Sequence, residues 1–418
     1  MLINFNKYKE QYHFSVNFYS IFLIITAIPD ILHISSSLII LPFWGIKVLL
    51  ATWIISKDKR YSYSFSRIEI LYFILVFIYI ANLFADIFIF PSAVLGSQHG
   101  TMDFVGFLIG ILLALSFRYD PAFHSEKSFK FFVITLSIGL IIAYFTAIPA
   151  KLYDEFNSRL DANSTINTIF YGIIGCALSI TSIYGFVNYK KWLIKILFII
   201  AFIIGFVSIA KAGSRSPVAV LILVTTFFLM ARLGSMKGFI ILFVLFCMVI
   251  IFLNPIIDLV HSMGSSLADR LTSSIKENDT SGRDLIWKNV LNIIEGSPIL
   301  GAYYLVPSGI GVGGYPHNYI LEAFMTTGLL GGIPFLFLVI FSLRKAFKLI
   351  KMRHPATWIV ILYIQIIFYS MFSTGLYTGE DFWMLLFFML SLKIDKAEPA
   401  NNLPLSTQSS QKMSVFIQ

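Results

Sequence analysis

Charged residues are scarce in this chain of 418 residues: 13% are Asp, Glu, Lys or Arg, whereas 57% are hydrophobic. Because soluble domains carry about a quarter charged residues, this shortage excludes an ordinary water-soluble fold. Apolar runs such as 68–90 and 238–255 are long enough to cross a bilayer, which takes roughly 20 residues. The runs are continuous and do not alternate with polar residues, which excludes a transmembrane β-barrel. We therefore predict an all-α, polytopic membrane protein.

Cysteine and clustered metal ligands are also rare. The two cysteines, Cys176 and Cys247, lie inside apolar runs without a metal-type spacing, so we expect buried free thiols. The 7 histidines are scattered, and neither an HxxxH pattern nor a DxD-like acidic cluster occurs in the segments predicted to lie outside. We therefore expect neither a metal nor a cofactor.

Lysine and arginine avoid every second loop. The candidate spans, about twelve in number, are 16–29, 38–56, 68–90, 101–117, 131–148, 167–187, 192–210, 213–231, 238–256, 317–342, 356–375 and 379–394. With the N-terminus in the cytoplasm, the basic residues collect in the cytoplasmic loops, whereas the outside loops 30–37 and 91–100 contain neither Lys nor Arg. The net charge of +9 is thus an orientation signal, and we expect no nucleic-acid partner.

This topology divides the chain into four parts. Residues 1–256 form an N-terminal transmembrane region of about nine helices. Residues 257–316 form one large external loop with short helices, and 317–396 form the C-terminal transmembrane helices. The tail 397–418 is polar and is predicted to be disordered in the cytoplasm.

A few basic residues lie on the outer side, against the charge rule. Lys211 and Arg215 occur in "KAGSRSPVAV", before an apolar run that reaches membrane-spanning length only if its helix extends back to Gly213. Arg215 is then expected in the first turn, where it needs a partner or a water-filled cavity. A lone arginine that snorkels to the interface would fit the same position.

Arg283 lies in the external loop, in "TSGRDLIWKNVLNII". Ser281 and Asp284 form a capping-box pattern, so a helix is predicted to begin at Ser281 with Arg283 in its first turn. A helix N-terminus beside an arginine is a good site for an anion, phosphate above all. A solvated surface arginine is the alternative.

A histidine stands at the outer mouth of span ten, in "GGYPHNYILEAF". A glycine-rich approach leads to Pro316, which suits the first position of a helix, and His317 follows it. Asn318 and Glu322 then share a helix face, and Glu322 lies deep enough that it should face the protein interior. Glu322 either orients its neighbours or pairs structurally, and His317 taken alone also fits an interfacial histidine.

The three residues are more informative together than singly. Two arginines suit a diphosphate, and a histidine of near-neutral pKa suits removal of a proton from an attacking hydroxyl. A glycan on a lipid diphosphate presents both requirements at one membrane surface. Glycan transfer releases the lipid diphosphate, whose growing charge the arginines would stabilise.

Four motifs in the second half of the chain resemble one protein family. They are "GSRSP" at 213–217, "SGRDLIW" at 281–287, "GSPILGA" at 296–302 and "PHNYILEAFMTTGLLGG" at 316–332. This set resembles the O-antigen ligase/polymerase superfamily of bacterial membrane glycosyltransferases, over about residues 205–345. The plan of about twelve spans with a large external loop late in the chain is similar as well.

The resemblance implies a C-type membrane glycosyltransferase architecture and a glycan donor on undecaprenyl diphosphate. It implies that Arg215 and Arg283 bind the diphosphate and that His317 activates the acceptor hydroxyl. The residues beside them that are candidates for substrate binding are Lys211, Tyr315 and Asn318, and Glu322 is the candidate supporting residue.

Three functions remain open on these grounds. The motif arrangement looks more like polymerases of O-antigen or capsule repeat units than like ligases that transfer the glycan to the lipid A core. A transporter or flippase of lipid-linked sugars is a third alternative, although the short linker 188–195 and the lack of an internal repeat do not favour it. We expect a cytoplasmic (inner) membrane enzyme whose site faces the periplasm, with lipid and a chain-length regulator protein as further partners.

Overall fold

The computed structural model describes residues 13–57, 64–91, 97–150, 159–234 and 282–393, together with Gly238, Ile240 and Leu267. The helices are α1 Ser20–Leu32, α2 Ser37–Lys57, α3 Arg67–Phe84, α4 Ser97–Ser116, α5 Glu126–Thr146, α6 Thr168–Asn188, α7 Trp192–Ala212, α8 Arg215–Leu233, α9 Arg283–Gly296, α10 Tyr319–Lys351, α11 Thr357–Ser370 and α12 Glu380–Ser391. A π-helical turn, Ala85–Ile89, extends α3, and 3₁₀ turns lie at Pro121–His124 and Leu376–Thr378. Strands β1 Ile148–Pro149 and β2 Leu160–Asp161 pair antiparallel.

Within these residues, 7 helices are long and apolar enough to cross a membrane, and three shorter apolar helices accompany them. The prediction of an all-α polytopic membrane protein is confirmed. Most predicted spans begin and end within a few residues of a described helix, but α10 continues to Lys351, well past the predicted end at 342. Span nine, most of the external loop before 282, and the tail 397–418 lie outside the described residues.

The core of the bundle is formed by the helices that other helices surround. Almost every residue of α11 and α12 is buried, which explains why both are apolar all round. Helix α6 packs closely on α7 because glycines face each other: a Cβ on Gly175 would lie 2.7 Å from the Gly205 carbonyl oxygen. Small residues allow this close backbone approach between membrane helices.

The bundle has two ends, named here by a residue at each. At the Arg118 end, Arg118 pairs with Glu69 at 3.0 Å. At the His317 end, the Tyr304 amide donates to Asp86 at 3.0 Å. Basic residues in the described loops and helix ends at the Arg118 end include Lys127, Lys130, Lys190, Lys191, Arg232 and Arg353.

Helix α10 is interrupted at Gly328, whose φ of 57° and ψ of −154° are not helical. The preceding segment of the chain, 298–302, inserts at the break. Pro298 and Ile299 carbonyls accept from the amides of Leu329 at 2.8 Å and Leu330 at 3.1 Å. A Cβ on Gly328 would clash with the Ile299 carbonyl, so only glycine fits there. Backbone groups freed by a break inside a membrane protein must be paired in this way.

Candidate active site

Arg283 is the first residue of α9. Its N-cap is Gly282, with a φ of 71°, and a glycine N-cap supplies no side-chain bond to the helix. The predicted helix start at Ser281 is wrong, because the left-handed turn at Gly282 delays the helix. Arg283 nevertheless lies in the first turn, as predicted, and it is half-buried. Because helix-start amides and a guanidinium both favour an anion, this corner is a candidate anion-binding site.

Arg215 has the same local setting, because it is the first residue of α8, as predicted for the first turn. Ser214 occupies the N-cap, but its side chain does not cap the backbone amides; its Oγ instead shares a hydrogen bond of 3.3 Å with the Ser216 Oγ. Arg215 is half-buried. Each of the two arginines therefore begins a helix whose N-cap residue makes no side-chain capping bond.

His317 lies just before α10 and not inside it. Asn318 is the N-cap, and its Oδ1 accepts from the Ile320 amide at 3.0 Å. The prediction that Pro316 opens the helix is therefore wrong, since the capping asparagine comes after it. His317 has a φ of 57°, a strained value for a residue with a side chain. Such strain is held in place by its surroundings and is common at functional sites.

Helix α9 and the His317 loop are joined directly. The Trp287 indole Nε1 donates to the Pro316 carbonyl at 2.9 Å. This bond places the residue before His317 against the helix that begins with Arg283. The tryptophan belongs to the "SGRDLIW" motif, but its role was not predicted.

The imidazole of His317 is half-buried and neutral. Burial, and secondarily the positive charge of Arg283, lower the pKa of His317 to about 4. Its Nδ1 atom is buried and has no hydrogen-bond partner among the described residues. The Tyr315 ring packs against the imidazole with 4.5 Å between ring centroids. The structure therefore brings Tyr315 and Arg283 next to the imidazole of His317, which is a neutral base that can accept a proton.

The loop 371–379, between α11 and α12, connects Arg215 to this group. The Ser373 Oγ lies 3.2 Å from the Ser216 Oγ, next to Arg215. The Ser373 carbonyl accepts from the Tyr315 hydroxyl at 3.4 Å. Sequence reasoning missed Ser373, because a serine in a short loop carries no signal of its own.

Lys211 lies near the end of α7, before Gly213, whose φ of 61° ends that helix. Its ammonium sits over the Tyr144 ring of α5, 3.5 Å from the centroid. This cation–π contact positions the side chain between two helices. The predicted role of Lys211 in substrate binding stays a prediction.

Glu322 is fully buried, and its carboxylate holds the loop that follows α11. It accepts from the Leu376 amide at 2.8 Å, the Tyr377 amide at 3.3 Å and the Tyr79 hydroxyl at 3.2 Å. A carboxylate that accepts several amide bonds at the start of a short helix is a structural anchor. Of the two roles open for Glu322, the structure favours pairing.

The charges around His317 are those of an anion site. Among the described residues, no group of three or more His, Cys, Asp or Glu side chains lies close enough to hold a metal ion. The nearby ionised group that acts on His317 is the Arg283 guanidinium. The arginine suits a ligand with negative charge, and the neutral imidazole suits a hydroxyl that can give up a proton.

Residues 200–336 match a family model described as O-Antigen ligase. Over this segment the chain is similar to the O-antigen ligase family. The matched segment runs from α7 into α10 and includes Arg215, Arg283 and His317, so the resemblance to the O-antigen ligase/polymerase superfamily is confirmed. A search of curated proteins finds no significant match. The match indicates a glycosyltransferase-like membrane enzyme of O-antigen processing and favours glycan transfer over transport.

Proposed function

We propose that this protein polymerises glycan repeat units carried on undecaprenyl diphosphate into O-antigen or capsule chains. The observation that carries the proposal is a neutral, half-buried His317 beside Arg283 at an uncapped helix start. A base next to an anion site is what transfer from a diphosphate requires.

The reaction is a single transfer. His317 takes the proton of an acceptor hydroxyl, and that oxygen attacks the anomeric carbon of the donor glycan. The bond between that carbon and the diphosphate oxygen breaks as the new glycosidic bond forms. The lipid diphosphate leaves with the bonding electron pair, and the proton stays on His317.

Arg215 and Arg283 bind the diphosphate. Each is the first residue of a helix whose N-cap residue makes no side-chain capping bond, and helix-start amides and a guanidinium both favour an anion. Their positive charge stabilises the leaving group most as its charge grows, which lowers the barrier.

The His317 end faces the periplasm of the inner membrane in this proposal. Its support is the accumulation of Lys and Arg at the opposite, Arg118 end, as expected for cytoplasmic loops. A polymerase at that surface meets its lipid-linked substrates there, and a chain-length regulator protein is a plausible partner for the same chains.

Ligation of the glycan to the lipid A core is the second candidate, and the description of the matching family favours it. The motif arrangement at 281–287, 296–302 and 316–332 favours the polymerase. A deletion strain separates the two. Loss of a polymerase leaves single repeats on the core, whereas loss of a ligase leaves long chains on the carrier lipid.

The direct test uses the purified protein in lipid nanodiscs with undecaprenyl-diphosphate-linked repeats from the source strain. We expect a ladder of products. His317→Asn, which tolerates the left-handed backbone, and Arg283→Gln should each lower turnover at least about a hundredfold. Lys288→Gln, an exposed cation on the same helix, is the matched control. Full activity in His317→Asn, or no elongation by the wild type, would refute the proposal.

A further inference from the structure

A cavity of about 510 Å³ lies next to the candidate active site. It is enclosed by α1, α2, α4, the start of α6, the start of α12 and the loop 371–379. Its size is that of a small-molecule binding site. Tyr315, Tyr369 and Ser373 line it, and Tyr315 also packs against the His317 ring at 4.5 Å. The cavity and the base therefore share a wall.

Charged side chains line the cavity within the membrane-spanning helices. Lys47 lies midway along α2 with 2% of its side chain exposed, and it pairs with Glu380 at 2.8 Å. Asp381 accepts from the Tyr19 hydroxyl at 2.7 Å. Ionisable groups at such depth are costly, and they are retained where they face a ligand pathway or a water-filled cavity.

One buried polar atom on the cavity wall lacks a partner. Asn17 lines the cavity and is 5% exposed. Its Nδ2 donates to the His13 carbonyl at 3.0 Å, whereas its buried Oδ1 has no partner among the described residues. A buried acceptor without a donor is rare and marks a place where a ligand can supply one.

The lining chemistry selects a ligand that donates hydrogen bonds. Of the ionisable acidic and basic residues that line the cavity, Asp103, Glu380 and Asp381 are acidic and Lys47 is basic. A diphosphate offers no donors at neutral pH and is repelled by carboxylates, so it belongs with the arginines. A polyhydroxylated ligand suits the acceptors.

Aromatic rings complete the wall. Trp44, Phe170, Tyr377 and Trp383 all line the cavity. Such rings offer broad apolar faces on which the C–H face of a pyranose ring can pack, while the polar groups take its hydroxyls. Acceptors, rings and volume together fit a sugar.

We propose that this cavity binds a sugar unit of the glycan, with Asn17 Oδ1 and the Asp381 carboxylate accepting hydrogen bonds from its hydroxyls. The proposal rests on the proposed function, since it names where the glycan sits while the diphosphate lies at Arg215 and Arg283. Both the donor and the acceptor glycan carry this chemistry, and the kinetics of the two substrates distinguish them.

The test measures binding to the full-length protein in nanodiscs with two separate probes. One is the lipid-free repeat-unit oligosaccharide released from the source strain, and the other is undecaprenyl diphosphate alone. Asp381→Asn and Asn17→Leu should each weaken oligosaccharide binding at least about tenfold and leave undecaprenyl diphosphate binding within about twofold. Asp86→Asn is the matched control: it is buried, lies at the same end and does not line the cavity.

Transfer kinetics then assign the sugar. A KM raised in Asp381→Asn for the acceptor alone places the acceptor in the cavity, and one raised for the donor alone places the donor there. Thermal melting checks that each variant is folded. If Asp381→Asn does not fold, Asn17→Leu still tests the proposal.

Three results would overturn the cavity proposal: no oligosaccharide binding by the wild type, equal binding by the cavity variants and Asp86→Asn, or loss of undecaprenyl diphosphate binding alone. Expected oligosaccharide binding without glycan transfer by the wild type would keep the cavity and refute the polymerase. Glycan transfer with unchanged KM values in the cavity variants would keep the polymerase and refute the cavity.

Discussion

His317 is a titratable group that the protein keeps neutral beside a cation. Burial contributes most to the lowered pKa, and Arg283 adds to it, so the imidazole is unprotonated at neutral pH. With this lower pKa, the imidazole is also a weaker base than that of a free histidine. A bound diphosphate would offset the charge of Arg283 and strengthen the base when substrate is present.

The pH dependence of transfer follows from this arrangement. Because protonated His317 cannot accept a proton, kcat/KM should fall as the pH drops through its pKa, which is about 4 in the free protein. Arg283→Gln removes a positive charge, so the pKa rises and the acid limb moves to higher pH. Lys288→Gln should leave the limb in place. An acid limb that stays fixed in Arg283→Gln would contradict the coupling.

Glu322 should behave as an anchor and not as a second base. Glu322→Gln keeps one acceptor oxygen for the Leu376 amide but replaces the other with an NH₂ group that cannot accept, so we expect a loss of about 1–3 kcal/mol in stability. Thermal melting measures this loss, and turnover should drop only in proportion to the folded fraction. A stable variant without activity would instead assign chemistry to Glu322.

At the scale of elements, the break in α10 explains why two of the motifs occur together. "GSPILGA" supplies the segment that pairs with the backbone at the break, and "GLLGG" supplies the glycine that permits it. The two motifs are therefore one structural unit, which holds the first half of α10 behind His317. The arginine motifs, by contrast, supply helix starts.

Gly328→Ala tests this unit. The φ and ψ angles of Gly328 are strained for a residue with a side chain, and adopting them costs an alanine of order 1–3 kcal/mol. Its Cβ would also clash with the Ile299 carbonyl. We expect a lower melting temperature or poor membrane insertion. Gly45→Ala in α2 is the control, because a Cβ there meets nothing within 4 Å. Equal stability of the two variants would show that the break tolerates a side chain.

At the scale of the molecule, the candidate site residues are concentrated at one end of the bundle. The two arginine-bearing helix starts, the His317 loop and the 371–379 loop meet there, while the basic loops lie at the other end. The 371–379 loop lies between two helices of 14 and 12 residues, which are shorter than the roughly 20 needed to cross a bilayer. A recessed loop of this kind leaves room for the cavity beside it.

The orientation of the bundle is testable by labelling single cysteines in a background without Cys176 and Cys247. Ser308→Cys, exposed at the His317 end, should react with a membrane-impermeant maleimide in spheroplasts. Lys190→Cys, exposed at the Arg118 end, should react only after the membrane is permeabilised. The opposite pattern would place the site in the cytoplasm and refute the periplasmic assignment.

Much of the fold could be predicted because the local composition of the chain indicates where membrane helices form. A run of apolar residues in lipid forms a helix, since a helix pairs its own backbone groups. For this reason most predicted span ends lie close to the ends of the described helices. Helix starts were less certain: Ser281 and Pro316 fit the usual patterns, but Gly282 and Asn318 decided the outcome.

The sequence by itself determined the class of protein and the approximate positions of most described helices, because both depend on local composition, and it singled out Arg215, Arg283 and His317 as candidates. Only the tertiary structure decided which distant residues are in contact around the candidate site. Tyr19 and Asp381 are 362 positions apart yet share a hydrogen bond at the cavity, and Glu322 holds amides 54 and 55 positions away. No local pattern encodes such pairs, since they depend on which helices pack together.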